Sequence, residues 1–252
     1  MEHFADFIIH YIENNQIHGT QGWINQLNTY QWNNDNYSDG ISTTQKFWDD
    51  SKKIINTPKN DDIWDCHCLK IARWGGMGAI STDASLKLKK DVLLLMQNNL
   101  DSDLINCPVC KNQIAMATKV FYFSDPLKWT IYDSRVGYAI HQLIFEYAKQ
   151  QNILPKSGFP GNLFCLPPPR NSQKKRRNPL YKADQCNTAG KRSVKSFLGA
   201  SHLHSIIASK LNSMKIPKPE YFLSDKPCWE LPHIEMVFFM LGDSQWVDIN
   251  EN

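Results

Sequence analysis

Apolar residues recur at spacings of three and four along most of the chain, and strand-like alternation is scarce. The pattern therefore predicts an all-α fold. A first helix is expected over residues 4–13, with Phe4, Phe7, Ile8 and Tyr11 on one face. Trp23, Ile24 and Leu27 predict a second, short helix, and residues 33–40 are polar and turn-like. A helix over 43–55 stops before Pro58. The run Ile63, Trp64, Cys68 and Ile71 predicts a helix that ends at Gly75-Gly76. Residues 82–98 read as a long amphipathic helix through Leu86, Leu93 and Leu94, and 101–105 begin another. Residues 120–123 are apolar and end near Asp125-Pro126.

The strongest helical pattern starts at Asp133, a residue type suited to an N-cap, and runs through Val136, Ala139, Ile140, Leu143, Ile144, Tyr147 and Ala148. Residues 154–192 differ in character. Prolines cluster there, Lys174-Lys175-Arg176-Arg177 forms a basic run, and nine Lys or Arg face a single acid, Asp184. This is a long loop or a crossing between lobes. Helices resume over 193–213 and near 232–241.

With 42% hydrophobic and 21% charged residues, the 252-residue chain can bury a sizeable core as one unit or as two helical lobes. The central unit is expected over about 78–150, with the remaining helices drawn from 1–77 and 193–252. A net charge of +3 does not by itself imply a polyanionic partner. No stretch approaches the ~20 apolar residues of a membrane helix. The first residues carry acids and do not resemble a signal peptide. Seven cysteines, an odd number at irregular spacing, point to reduced thiols. The expectation is a cytoplasmic monomer with no membrane partner.

The segment that carries chemistry is Ala115-Met116-Ala117-Thr118-Lys119-Val120, followed by Ile131-Tyr132-Asp133-Ser134-Arg135-Val136. A lysine near the start of an apolar helix is followed fourteen residues later by an aspartate that caps another helix. A desolvated lysine becomes a usable nucleophile, and a carboxylate is stabilised at a helix N-terminus. Together they make an amine nucleophile beside an anionic base. The structural alternative is a solvated lysine and an ordinary N-cap.

This constellation resembles the helix-hairpin-helix DNA glycosylase superfamily, and within it the 8-oxoguanine glycosylase-like group. That family's hairpin typically reads Gly-hydrophobic-Gly-Thr-Lys-Val. Here Ala115 and Ala117 stand at the glycine positions, and the Lys-to-Asp interval is shorter than is usual in the family. The resemblance covers roughly residues 100–148. It implies a two-lobed helical glycosylase-like fold with a helix-hairpin-helix-like element, and a partner that is double-stranded DNA carrying a damaged or modified base. It also implies that Lys119 forms a Schiff base with the sugar while Asp133 assists, with strand cleavage as a further step. If Lys119 is not in place, Asp133 would assist a water instead. Neither route needs a cofactor or a metal. The biological setting is DNA repair or defence against modified phage DNA. The alternative is a non-catalytic DNA-binding helical module. The missing hairpin glycines favour that alternative, and the retained Lys and Asp favour the enzyme.

Further residues fit a DNA-facing role. Arg73 and Trp74 would meet a phosphate and an extruded base, although a core Trp beside a C-cap glycine is the favoured reading. Thr118, Tyr132 and Arg135 flank the catalytic pair, and Trp129 is a weaker pocket candidate. Arg170, Lys174, Lys175, Arg176 and Arg177 suit the DNA backbone, against a merely solvated loop. Cys66, Cys68, Cys107 and Cys110 have partial zinc-ligand spacing. Cys66 and Cys68, two apart on a helix, face different ways, so buried thiols are the favoured reading. His202 and His204 share no helix face and carry no assigned role.

Overall fold

The computed structural model describes residues 1–55, 57, 60–98, 114–152 and 194–243. They form α1 (Glu2–Asn14), α2 (Trp23–Asn28), α3 (Tyr37–Ile55), α4 (Asp61–Trp74), α5 (Thr82–Asn98), α6 (Ile114–Ser124), α7 (Ser134–Gln151), α8 (Val194–Ser213) and α9 (Leu231–Asp243). Among the described residues the only sheet is a hairpin, β1 (Gln31–Trp32) antiparallel to β2 (Asp35–Asn36). The fold is all-α, as the periodicity predicts. The expected helix start at 101–105 and the basic segment 154–192 lie outside the described residues.

The polar stretch at 33–40 is more structured than a plain turn. Asn33 and Asn34 take positive φ, 52° and 74°. Asparagine tolerates this region, and two such residues in succession make the tight turn that suits twisted strands. α3 then starts at Tyr37, earlier than its apolar spacing suggests.

The helices pack in two groups over one continuous core. In the first, α3 packs on α4 and α6, and α4, α5 and α6 pack on one another. In the second, α9 packs on α2, α7 and α8, and α1 packs on α7 and α8. Helices from the expected central unit, 78–150, thus fall on both sides: α5 and α6 in the first group, α7 in the second.

One helix in each group is buried on nearly every side and therefore central. Every side chain of α6 except Ala115 is buried. In α9, residues 231–239 are all buried. Phe121 of α6 stacks on Phe197 of α8 with ring centroids 5.9 Å apart. The Tyr122 hydroxyl on α6 shares a hydrogen bond with Thr44 of α3 at 3.1 Å. Among the described residues no helix is long and apolar enough to cross a membrane.

The end of α9 rests directly on the first turn of α7. A Cβ at Gly242 would collide with the carbonyl oxygen of Arg135. Only glycine allows this approach, and Arg135 is two residues from the predicted catalytic aspartate. Gly242→Ala is expected to lower the unfolding free energy by about 1–3 kcal/mol, the usual cost of overpacking. Urea denaturation measures the loss; an unchanged midpoint would mean the two helices do not meet there.

Candidate active site

Lys119 lies in the middle of α6, not near its start, and Asp133 is the N-cap of α7. The link between them doubles back. The amides of Lys128 and Trp129 bond to the Asp125 carbonyl and turn the chain after α6. The next residues are held on two sides. The Thr130 amide donates to Ser201 Oγ at 3.2 Å, and Thr130 Oγ1 pairs with His204 Nδ1 at 2.9 Å, both on α8. The Tyr132 amide donates to Thr118 Oγ1 at 3.1 Å. Residue 132 is thus tied beside residue 118, so residue 133 comes to rest beside residue 119. Fourteen residues suffice because the return segment runs back along α6.

The Asp133 carboxylate faces two ways. Oδ1 accepts the Arg135 and Val136 amides at 2.8 and 3.1 Å. These are orphan donors of the first turn, and the helix dipole adds to their pull on the negative charge. Oδ2 faces Lys119 Nζ at 4.0 Å. Nζ also points at the Ala115 carbonyl, 3.4 Å away. The side chains are 6% exposed for Lys119 and 18% for Asp133, so the open side of the pair lies at the aspartate.

α4 supplies the wall behind the lysine. Its end is a Schellman motif: Met77 N–H bonds to Ala72 O at 2.8 Å and Gly76 N–H to Arg73 O at 3.1 Å. Gly76 takes the left-handed conformation, φ 67°. Gly75 has an ordinary φ of −74° and is glycine for a different reason. A Cβ there would lie 2.6 Å from both Cδ and Cε of Lys119. The lysine stem lies in the space that Gly75 leaves. The leftover carbonyl of Trp74 accepts Trp32 Nε1 at 3.0 Å and Asn33 Nδ2 at 2.7 Å, so the hairpin closes the end of α4.

A second carboxyl, Glu235 on α9, completes the cluster, and the sequence reading missed it. It is 3% exposed. Burial holds its carboxyl well above the usual carboxylate range; Asp133 pushes the same way, and Lys119 and Arg135 oppose. The available signal was an acid inside the apolar run Ile234-Glu235-Met236-Val237-Phe238. Beside it, the Arg135 guanidinium lies 4.4 Å from the Phe239 ring centroid and 4.8 Å from that of Trp32.

Several expected contacts are placed differently. The residues aligned with the family's hairpin, 115–117, are helical and part of α6. Alanine favours helix where glycine would favour a turn. Thr118 and Tyr132 are buried, and Thr118 holds the Tyr132 amide. Trp74 packs edge-on against Phe123 at 4.9 Å, while Arg73 is exposed next to it. Trp129 is buried against Phe121 and Phe197. Cys66 is exposed and Cys68 buried. Between them, His67 pairs with Ser51 Oγ at 2.8 Å. His202 is exposed and His204 buried. Arg170, Lys174, Lys175, Arg176, Arg177, Cys107 and Cys110 lie outside the described residues. Among the described residues no three His, Cys, Asp or Glu side chains are grouped to hold a metal.

Two wider grooves lie elsewhere, one of about 990 Å³ between α1 and α7 and one of about 660 Å³ beside α3. Neither is lined by Lys119, Asp133 or Glu235. Comparison with family models, curated proteins and solved structures finds no match to this chain.

The buried carboxyl has a measurable consequence. Burial raises the proton affinity of Glu235 in the folded chain above its unfolded value of 4.5. Its contribution to stability is therefore full below about pH 4.5 and is lost as pH rises. Glu235→Gln, which cannot titrate, is expected to gain melting temperature over the parent as pH goes from acid to neutral. Calorimetry across that range checks this; a constant gap would mean Glu235 is solvated.

Proposed function

We propose that this chain is a DNA N-glycosylase that extrudes a damaged or modified base and cuts its bond to deoxyribose. Lys119 is the nucleophile, and Asp133 is the base and electrostatic partner. The observation that carries the reading is the approach of Lys119 Nζ and Asp133 Oδ2 to 4.0 Å from two different helices. An N-cap needs no lysine opposite it, and a solvated lysine needs no glycine cleared for its stem.

The chemistry follows from the groups present. The amine, as the free base, attacks the anomeric carbon while the Asp133 carboxylate stabilises positive charge on the sugar. An iminium to Lys119 then sets up strand cleavage beside the lesion. Enclosure by α4, α6 and α9 keeps water from competing with the amine. The half-buried Asp133 and Arg135, with exposed Arg73 close by in α4, give the side from which an extruded nucleotide enters. The basic run Lys174-Lys175-Arg176-Arg177, with Arg170, supplies phosphate contacts. The setting is cytoplasmic, in repair of cellular DNA or attack on modified phage DNA. A non-catalytic DNA-binding module is the second reading, favoured by the helical conformation of residues 115–117, where the family has a hairpin.

The test is borohydride trapping on duplexes with an abasic site or with a panel of altered bases. The parent is expected to form a covalent adduct that Lys119→Ala abolishes. Asp133→Asn is expected to slow trapping by about 10²-fold or more. DNA binding with neither adduct nor base release would favour the module.

Gly75 gives an independent check. Gly75→Ala leaves the helix end unstrained, since its φ is ordinary, but displaces the lysine stem. Misplacement by about 1 Å costs on the order of 10²-fold in rate. Trapping is expected to slow by roughly that factor with the melting temperature nearly kept. Unchanged trapping would remove Lys119 from the reaction.

A further inference from the structure

The groove between α1 and α7 is separate from Lys119 and Asp133, and its walls have a chemistry of their own. The apolar part is aromatic. Phe7 and Tyr11, four apart on one face of α1, have ring centroids 5.3 Å apart. Tyr147 of α7 meets Phe7 at 5.2 Å, with the ring planes inclined by 61°. All three are half-buried and line the groove as an angled wall. The faces of such rings carry negative potential and attract cations.

The polar part is rich in acceptors. Asn14 and Asn15 close the end of α1 by donating from their side-chain nitrogens to the carbonyls of His10 and Tyr11, at 2.8 and 2.9 Å. With each nitrogen so engaged, the amide oxygen is the side that a ligand can use. Glu146 of α7 adds a half-buried carboxylate. The Tyr11 phenol is pushed up to about 12, first by burial and then by Glu146, in keeping with a carboxylate close to the aromatic wall. The groove also takes in the last turns of both helices, where carbonyls lack intrahelical partners and the dipole is negative. α1 has no basic side chain in its last turn, and α7 has Lys149 alone there. Lys149 is exposed, and its long stem lets the ammonium stay in water.

Carboxylate, amide oxygens, helix ends and ring faces all favour positive charge. They are spread over about 990 Å³, near the upper end of the roughly 300–1,000 Å³ of small-ligand sites and far more than one ammonium fills. A matching ligand has several ammonium groups joined by methylene spacers, with the charges at the oxygens and the methylenes along the rings. Phosphate is disfavoured by the same groups, which sets this groove apart from the expected DNA contacts.

We propose that the groove between α1 and α7 binds a linear polyamine. Glu146, Asn14 and Asn15 take its ammonium groups, and Phe7, Tyr11 and Tyr147 take the chain between them. The proposal does not depend on the glycosylase reading, since the groove contains neither Lys119 nor Asp133.

The test is calorimetric titration of the full chain with spermidine, putrescine and butylamine at about 0.15 M salt. Affinity is expected to rise from butylamine through putrescine to spermidine. Glu146→Gln is expected to weaken spermidine about tenfold, through loss of a charge-assisted bond. Phe7→Leu, which keeps an apolar side chain there, is expected to weaken it about threefold or more. Glu220→Gln removes an equal charge at the groove beside α3 and is expected to leave the affinity unchanged. Melting temperatures taken alongside report whether each variant is folded, and Glu146→Gln carries the test if Phe7→Leu is not. Absence of spermidine binding, equal affinity for the three amines, or equal weakening by Glu146→Gln and Glu220→Gln would each overturn the proposal. Binding of an oligolysine peptide but not of spermidine would make the cation a protein side chain and would also overturn it.

Discussion

The site depends on how one carboxylate divides its two oxygens. Oδ1 of Asp133 satisfies the first amides of α7, and Oδ2 is left facing Lys119. The capping bonds fix the carboxylate in space, so the lysine meets a preorganised anion. A side chain free to rotate would weaken the pair through the entropy of holding it. The rest of the fold serves this arrangement. Thr118 holds the return segment against α6, Ser201 and His204 hold it against α8, and Gly242 lets α9 rest on the capped turn.

The two helix groups meet at these residues. Lys119 comes from the group of α3–α6, whereas Asp133, Arg135 and Glu235 come from the group containing α7 and α9. A cluster built across such a seam can bury an amine and two carboxyls, because each group contributes a finished wall. The α4 end illustrates this. Its Schellman turn uses Gly76 for backbone conformation and Gly75 for space, and its last carbonyl is closed by Trp32 and Asn33 of the hairpin.

Much of this was legible in the sequence. Periodicity places α1, α2, α4, α5 and α7 closely, because each has one apolar face and a clear stop such as Gly75-Gly76. Asp133 is readable as a cap because helix starts have a local chemistry. The start of α3 was not readable, since Tyr37-Ser38-Asp39-Gly40 is polar and its burial comes from distant partners such as Tyr221, whose backbone bonds to the Tyr37 hydroxyl. Thr118 reads as a surface residue by type. Its role in holding the Tyr132 amide appears only when the chain folds back. Gly75 and Glu235 were missed for the same reason: a glycine cleared for a lysine 44 positions away, and an acid enclosed by three helices, leave little trace in local spacing.

The central claim is that one particular amine meets the sugar. Mass-spectrometric peptide mapping of the borohydride-reduced adduct tests it most directly. The account predicts a deoxyribose remnant on the peptide that contains Lys119 and on no other. A remnant on the N-terminal amine of Met1, or on Lys174 or Lys175, would contradict it.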